Sequence, residues 1–168
     1  MWSVVPSVVV LGLVAIVAAR LAQSRSSPID AAAERIAAST VLGISTAIQS
    51  THFVEEWATG FHERFPALLG LDPMPLAFFV AFNLAWIAIW IVSIPFLRRG
   101  RKAAFFTAWF LAIAGILNGI AHPMMAMASG GYFPGLITSP FVGIAGVILW
   151  QRLQRATSKP VRVRNNAS

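Results

Sequence analysis

Residues 75–97 read PLAFFVAFNLAWIAIWIVSIPFL, a run with no charged side chain. A helix needs roughly 20 such residues to cross the ~30 Å hydrocarbon core of a bilayer. Only a helix or a closed barrel satisfies its own backbone there. The run does not alternate between polar and apolar residues, so it reads as a helix. Four further stretches extend this reading, at residues 3–19, 36–57, 103–128 and 136–150, the second being the least apolar. Pro140 sits near the start of the last, where a helix tolerates proline. The expected fold class is all-α: a polytopic membrane protein with a bundle of five transmembrane helices. Residues 1–150 form a single domain and residues 151–168 a basic cytoplasmic tail.

Composition points the same way. The 168 residues include 57% hydrophobic side chains, only 11% charged ones and no cysteine. Soluble domains carry about 25% charged residues. A disordered chain, a disulfide scaffold and a thiolate zinc site are excluded. The net charge of +7 comes from 13 Lys and Arg against 6 Asp and Glu. Arg20, Arg25, Arg35, Arg98, Arg99, Arg101, Lys102, Arg152, Arg155, Lys159, Arg162 and Arg164 fall on one side of the five spans, and Arg64 alone on the other. Cations stay inside, so the N-terminus is expected outside and the C-terminus in the cytoplasm, in the plasma membrane, with the first span a retained helix. The expected partner is the lipid bilayer. Nucleic acid is not a partner, because the cations lie in short loops and a tail and form no interleaved basic surface.

Local signals mark the boundaries. Ser27-Pro28-Ile29-Asp30 looks like an N-cap, a proline at N1 and an acid in the first turn, so the second helix starts near Pro28. Asp72-Pro73-Met74-Pro75 breaks the chain before the third span, and Gly130 to Gly135 form a turn before the fifth. Pro123 is expected to loosen the end of the fourth helix and to aim His122.

The polar groups inside the spans carry the chemistry. Intramembrane ionisable groups are costly and normally face a bundle interior. Ser45, Gln49, His52, Glu55 and Glu56 share a stripe of the second helix; Asn118 and His122, four residues apart, share a face of the fourth; Asn83 lies on the third. At about 1.5 Å per residue, His52 lies ~24 Å and Asn118 ~22 Å from the inner edge, with Asn83 at ~18 Å. One cluster in the outer half is expected from His52, Glu55 or Glu56, Asn83, Asn118 and His122. His52, Glu55, Glu56 and His122 are the ligand types of a divalent metal such as Zn, Fe or Mn. The same groups with Asn118 suit acid–base catalysis. A structural hydrogen-bond network is the alternative to both. His62 and Glu63 are expected to be solvated outside. Trp86 and Trp90 are a packed or lipid-facing pair, or the walls of a pocket.

His52-Phe53-Val54-Glu55-Glu56 resembles the signature of the HXXEE family of small bacterial integral membrane proteins. Asn118-Gly119-Ile120-Ala121-His122 resembles that family's second polar motif, and Tyr132-Phe133-Pro134-Gly135 through Thr138 the stretch that follows it. The resemblance implies where the site lies and no reaction. The emopamil-binding-protein-like isomerases, which set His, Glu and Asn in a five-helix bundle, are similar at the level of fold only. The function expected is an intramembrane acid–base or metal-dependent enzyme acting on a small apolar or lipid-like substrate. The alternatives are a proton, ion or small-solute transporter and a structural or binding protein. The polar stripe is confined to the outer half and no inverted repeat is present, which disfavours transport.

Overall fold

The computed structural model describes residues 2–158. They form six α-helices: α1 (Val5–Ser24), α2 (Ala32–Ala58), α3 (Phe61–Ala67), α4 (Leu76–Arg98), α5 (Lys102–Ala128) and α6 (Ser139–Ala156). Three segments, Trp2–Ser24, Leu76–Arg98 and Lys102–Ala128, are long and apolar enough to cross a membrane. α2 and α6 have the length but are more polar. α2 carries Ser39, Ser45, Thr46, Gln49, His52 and Glu56, and buries all six. α6 runs past its apolar part through Gln151-Arg152-Leu153-Gln154-Arg155. Helical structure thus claims the first six residues of the expected tail. Residues 159–168, with Lys159, Arg162 and Arg164, lie outside the described residues.

α5 is the hub. It packs against α6, α1 and α4, while α2 packs against α6 and α4. Trp109 of α5 is fully buried beside Leu42, Leu97, Leu149 and Leu153, filling the half of the bundle nearest the basic loops. Close packing and polar bonds join the helices. α5 and α6 show the first. A Cβ on Gly119 would lie 2.7 Å from Gly143 Cα, and one on Gly146 2.7 Å from the Ala112 carbonyl. α4 and α5 show the second. Trp90 Nε1–H donates to the Thr107 carbonyl at 3.1 Å, and Thr107 Oγ1–H donates to Ser93 Oγ at 2.8 Å.

Two boundary expectations need correction. α2 does start just after Pro28, through a 3-10 turn over Ile29–Ala31, but Ser27 does not cap it. Its hydroxyl instead accepts a bond from Arg35 Nη1 at 3.1 Å. Pro123 does not loosen the end of α5, which continues helically to Ala128.

Candidate metal centre

The C-terminal end of α2, the C-terminal end of α5 and the loop leading into α6 meet at one end of the bundle, away from the Arg98–Lys102 loop. Three side chains converge there. His52 and Glu56 lie one turn apart on α2, and His122 comes from α5. His52 Nε2 and His122 Nε2 lie 3.5 and 3.4 Å from Glu56 Oε1. The relative exposures of His52, Glu56 and His122 are 0%, 6% and 1%. Among the described residues these three form the group able to hold a metal ion, with one ligand atom each, all within 4.8 Å of one another. The rings are edge to face, with centroids 4.7 Å apart.

The outer nitrogens settle the tautomers. His122 Nδ1 lies 2.6 Å from the Pro134 carbonyl oxygen, which can only accept, so Nδ1 carries the proton. His52 Nδ1 lies 2.7 Å from Thr138 Oγ1. The Thr138 hydroxyl spends its one proton on Glu55 Oε2, an ionised acceptor, so His52 Nδ1 must also donate. In its neutral form each imidazole therefore has its Nε2 lone pair free. Both lone pairs face the same carboxylate oxygen, which is itself an acceptor. His52 Nε2 is buried with no hydrogen-bond partner. Three acceptors facing one point are mutually repulsive and costly to bury. A proton on each Nε2 would bridge the two His–Glu contacts, and a metal cation satisfies all three groups without adding a proton.

Glu55 and Glu56 have separate tasks. Glu55 turns away from the group and accepts from Tyr132 Oη–H at 2.7 Å, Ile137 N–H at 3.0 Å and Thr138 N–H at 2.8 Å. It thereby satisfies backbone donors at the start of α6 and holds the 132–138 loop over the bundle. Burial first, and the Glu55 acceptor second, raise the Tyr132 hydroxyl above the ordinary phenol value, so it stays a donor at neutral pH. As a metal ligand Glu55 is thus replaced by its neighbour: among the four residues expected to bind metal, it is the one outside the cluster. Its link to the centre runs through Thr138 to His52, the kind of outer partner that fixes a ligating imidazole.

The loop holds residues that the sequence reading left unassigned. Pro134 and Thr138 supply the anchors just described. Gly135 lies against both rings in a left-handed conformation (φ +84°), and a Cβ there would meet His122 Cε1 at 2.5 Å and His52 Cε1 at 2.8 Å. Both the conformation and the space require glycine. The available signal was the Pro134-Gly135 pair followed by Thr138, which reads locally as an ordinary turn. Phe133 is buried with its ring near those of His122 and Phe61.

The two asparagines lie outside the ligand group but near it. Both line a cavity of about 490 Å³ that Glu56 and His122 also face. Asn83 Nδ2–H donates to the Phe79 carbonyl of its own helix at 2.9 Å. Trp86 and Trp90 serve as packing and as cavity wall at once, Trp86 stacking on Phe110 at 4.1 Å. Glu63 is exposed as expected. His62 is half-buried against Phe79 rather than solvated.

No curated protein and no solved structure matches the chain. The family model described as a protein of unknown function with an HXXEE motif matches residues 44–150, which takes in His52, Glu55, Glu56, His122 and the whole anchoring loop, and the chain belongs to that family.

Proposed function

We propose that the protein is a multi-pass membrane enzyme, with a divalent metal held by His52, Glu56 and His122 and facing an apolar cavity. The observation that carries this is the convergence of two Nε2 nitrogens and one carboxylate oxygen in a buried site, with both Nδ1 nitrogens bonded to groups outside it. Three protein ligands leave positions open for water or substrate, as catalytic zinc sites do, and two imidazoles with one carboxylate also suit iron and manganese. Such a metal would supply a Lewis acid and an activated water. The chain's own groups bind and orient: Glu55 and Thr138 hold His52, the Pro134 carbonyl holds His122, and Asn118, one turn below His122, faces the substrate space.

The bilayer reading belongs with this proposal. Three apolar helices cross the membrane, and α2 and α6 complete a five-span bundle: α2 turns its polar stripe inward, and α6 carries its polar residues at its C-terminal end, beyond its apolar part. With the cations inside, the N-terminus and the metal centre lie on the outer side of the plasma membrane and the C-terminus in the cytoplasm.

The deciding experiment is elemental analysis of protein purified in mild detergent without chelators. Stoichiometric zinc, iron or manganese is expected in the intact chain, and none in His52→Ala, Glu56→Gln or His122→Ala. A metal-free intact chain, still metal-free after reloading with all three ions, overturns the proposal.

A further inference from the structure

The cavity beside the centre is walled by α1, α2, α4 and α5. α1 contributes Leu11 and Val14, and α4 contributes Phe78, Phe82, Asn83 and Trp86. α1 packs on α5, and α4 packs on α2 and α5, but α1 and α4 form no packing seam with each other. The cavity is therefore bounded on one side by two helices that are not packed along each other, both long and apolar enough to face lipid.

Its polar inventory is specific. Gln49 of α2 lines the cavity, is 7% exposed, and has an Oε1 with no partner. It lies two turns, about 10 Å, along α2 from Glu56, on the side away from the metal centre. A buried amide without a partner costs about 1–3 kcal/mol, so it marks a place where something else supplies the bond. Charge is the second feature. No Lys or Arg lines the cavity, and Glu56 is its only charged group. Away from the metal centre, around Gln49, a phosphate or free carboxylate would therefore have no counter-charge.

We infer that the cavity binds an uncharged single-chain lipid, which enters from the bilayer between α1 and α4 and donates a hydrogen bond to Gln49 Oε1 from a hydroxyl or amide N–H. The inference deepens the enzyme reading by naming its substrate class. It rests on that reading only for the reacting end at Glu56 and His122, and the Gln49 contact stands by itself. A volume of about 490 Å³ lies within the roughly 300–1,000 Å³ typical of small-molecule sites.

The test is photolabelling of the full chain in detergent with a diazirine-bearing hexadecanol, competed by oleyl alcohol, oleate or 1-octadecene. Labels are expected on the peptides around Leu11 and Phe82, with oleyl alcohol competing about tenfold better than 1-octadecene, the worth of one hydrogen bond. Gln49→Leu should erase that advantage while leaving 1-octadecene unaffected. Ala114→Trp or Gly12→Phe should block labelling by filling the cavity from α5 or α1; a Cβ on Gly12 meets nothing within 4 Å, and an unfolding temperature equal to that of the unsubstituted chain identifies the variant that keeps the fold. Stronger competition by oleate, equal competition by alcohol and alkene, or labelling that persists in the filled variants overturns the inference. Loss of the alcohol's advantage in Glu56→Gln but not in Gln49→Leu overturns it as well. A Gln49-dependent advantage in protein that binds no metal would leave the lipid site standing and remove the metal centre.

Discussion

Thr138 carries two bonds at once, accepting from His52 Nδ1 and donating to Glu55. Outer partners of this kind are worth about 10–100-fold in metal affinity. Thr138→Val removes the hydroxyl at nearly constant shape, so it should weaken metal binding by about that factor, read by chelator competition, while Thr138→Ser should keep it. Glu55→Gln should fall between the two, because an amide can still accept from the loop but holds the Thr138 proton less firmly. Equal affinities across the three variants would show that the loop does not set the His52 tautomer. Gly135 makes the same point sterically. No other residue fits the left-handed turn that lies against both imidazoles.

At the level of elements, the site depends on how closely α5 and α6 approach. The loop before α6 places the Pro134 carbonyl and the Thr138 hydroxyl on the histidines, and α6 is pressed against α5 at Gly115, Gly119, Gly143 and Gly146. Gly146→Val drives a side chain into the Ala112 carbonyl and should cost about 1–3 kcal/mol, the usual cost of overpacking, seen as a lower unfolding temperature in detergent. Gly12→Ala on α1, where a Cβ is free of contacts, should change it little. The tie at the other end is polar. Ser26 and Ser158 exchange backbone bonds at 2.9 and 2.8 Å, and Arg25 Nε–H donates to Thr157 Oγ1 at 2.7 Å. These bonds join the segment before α2 to the end of α6, so both ends of the α2–α6 pair are fixed.

For the molecule as a whole, the cations of the described residues, Arg64 apart, and the polar centre occupy opposite ends of the bundle, and the chain lacks cysteine. A single cysteine is therefore a clean topology reporter. In intact cells, Ser129→Cys, beside the metal centre, should react with a membrane-impermeant maleimide. Ser26→Cys, among the cations, should react only after permeabilisation. The reverse pattern would invert the proposed orientation and place the centre in the cytoplasmic half.

Local sequence is enough to read that the chain is helical and apolar, that most cations fall in two loops and the C-terminal stretch, and that His52, Glu55, Glu56 and His122 lie at similar heights on two helices. These properties follow from composition and from 3.6-residue periodicity, which are local. Height along a helix is legible because rise per residue is constant. Rotation about the helix to within one residue is not, because Glu55 and Glu56 lie on either side of His52 along one face. Only the tertiary structure decided that Glu56 turns inward while Glu55 holds the loop. It also brought Pro134, Gly135 and Thr138 onto the imidazoles, since those contacts span sequence gaps that no local pattern encodes. The close approach of α5 and α6 closes those gaps, and it depends on glycines meeting across two helices rather than within one.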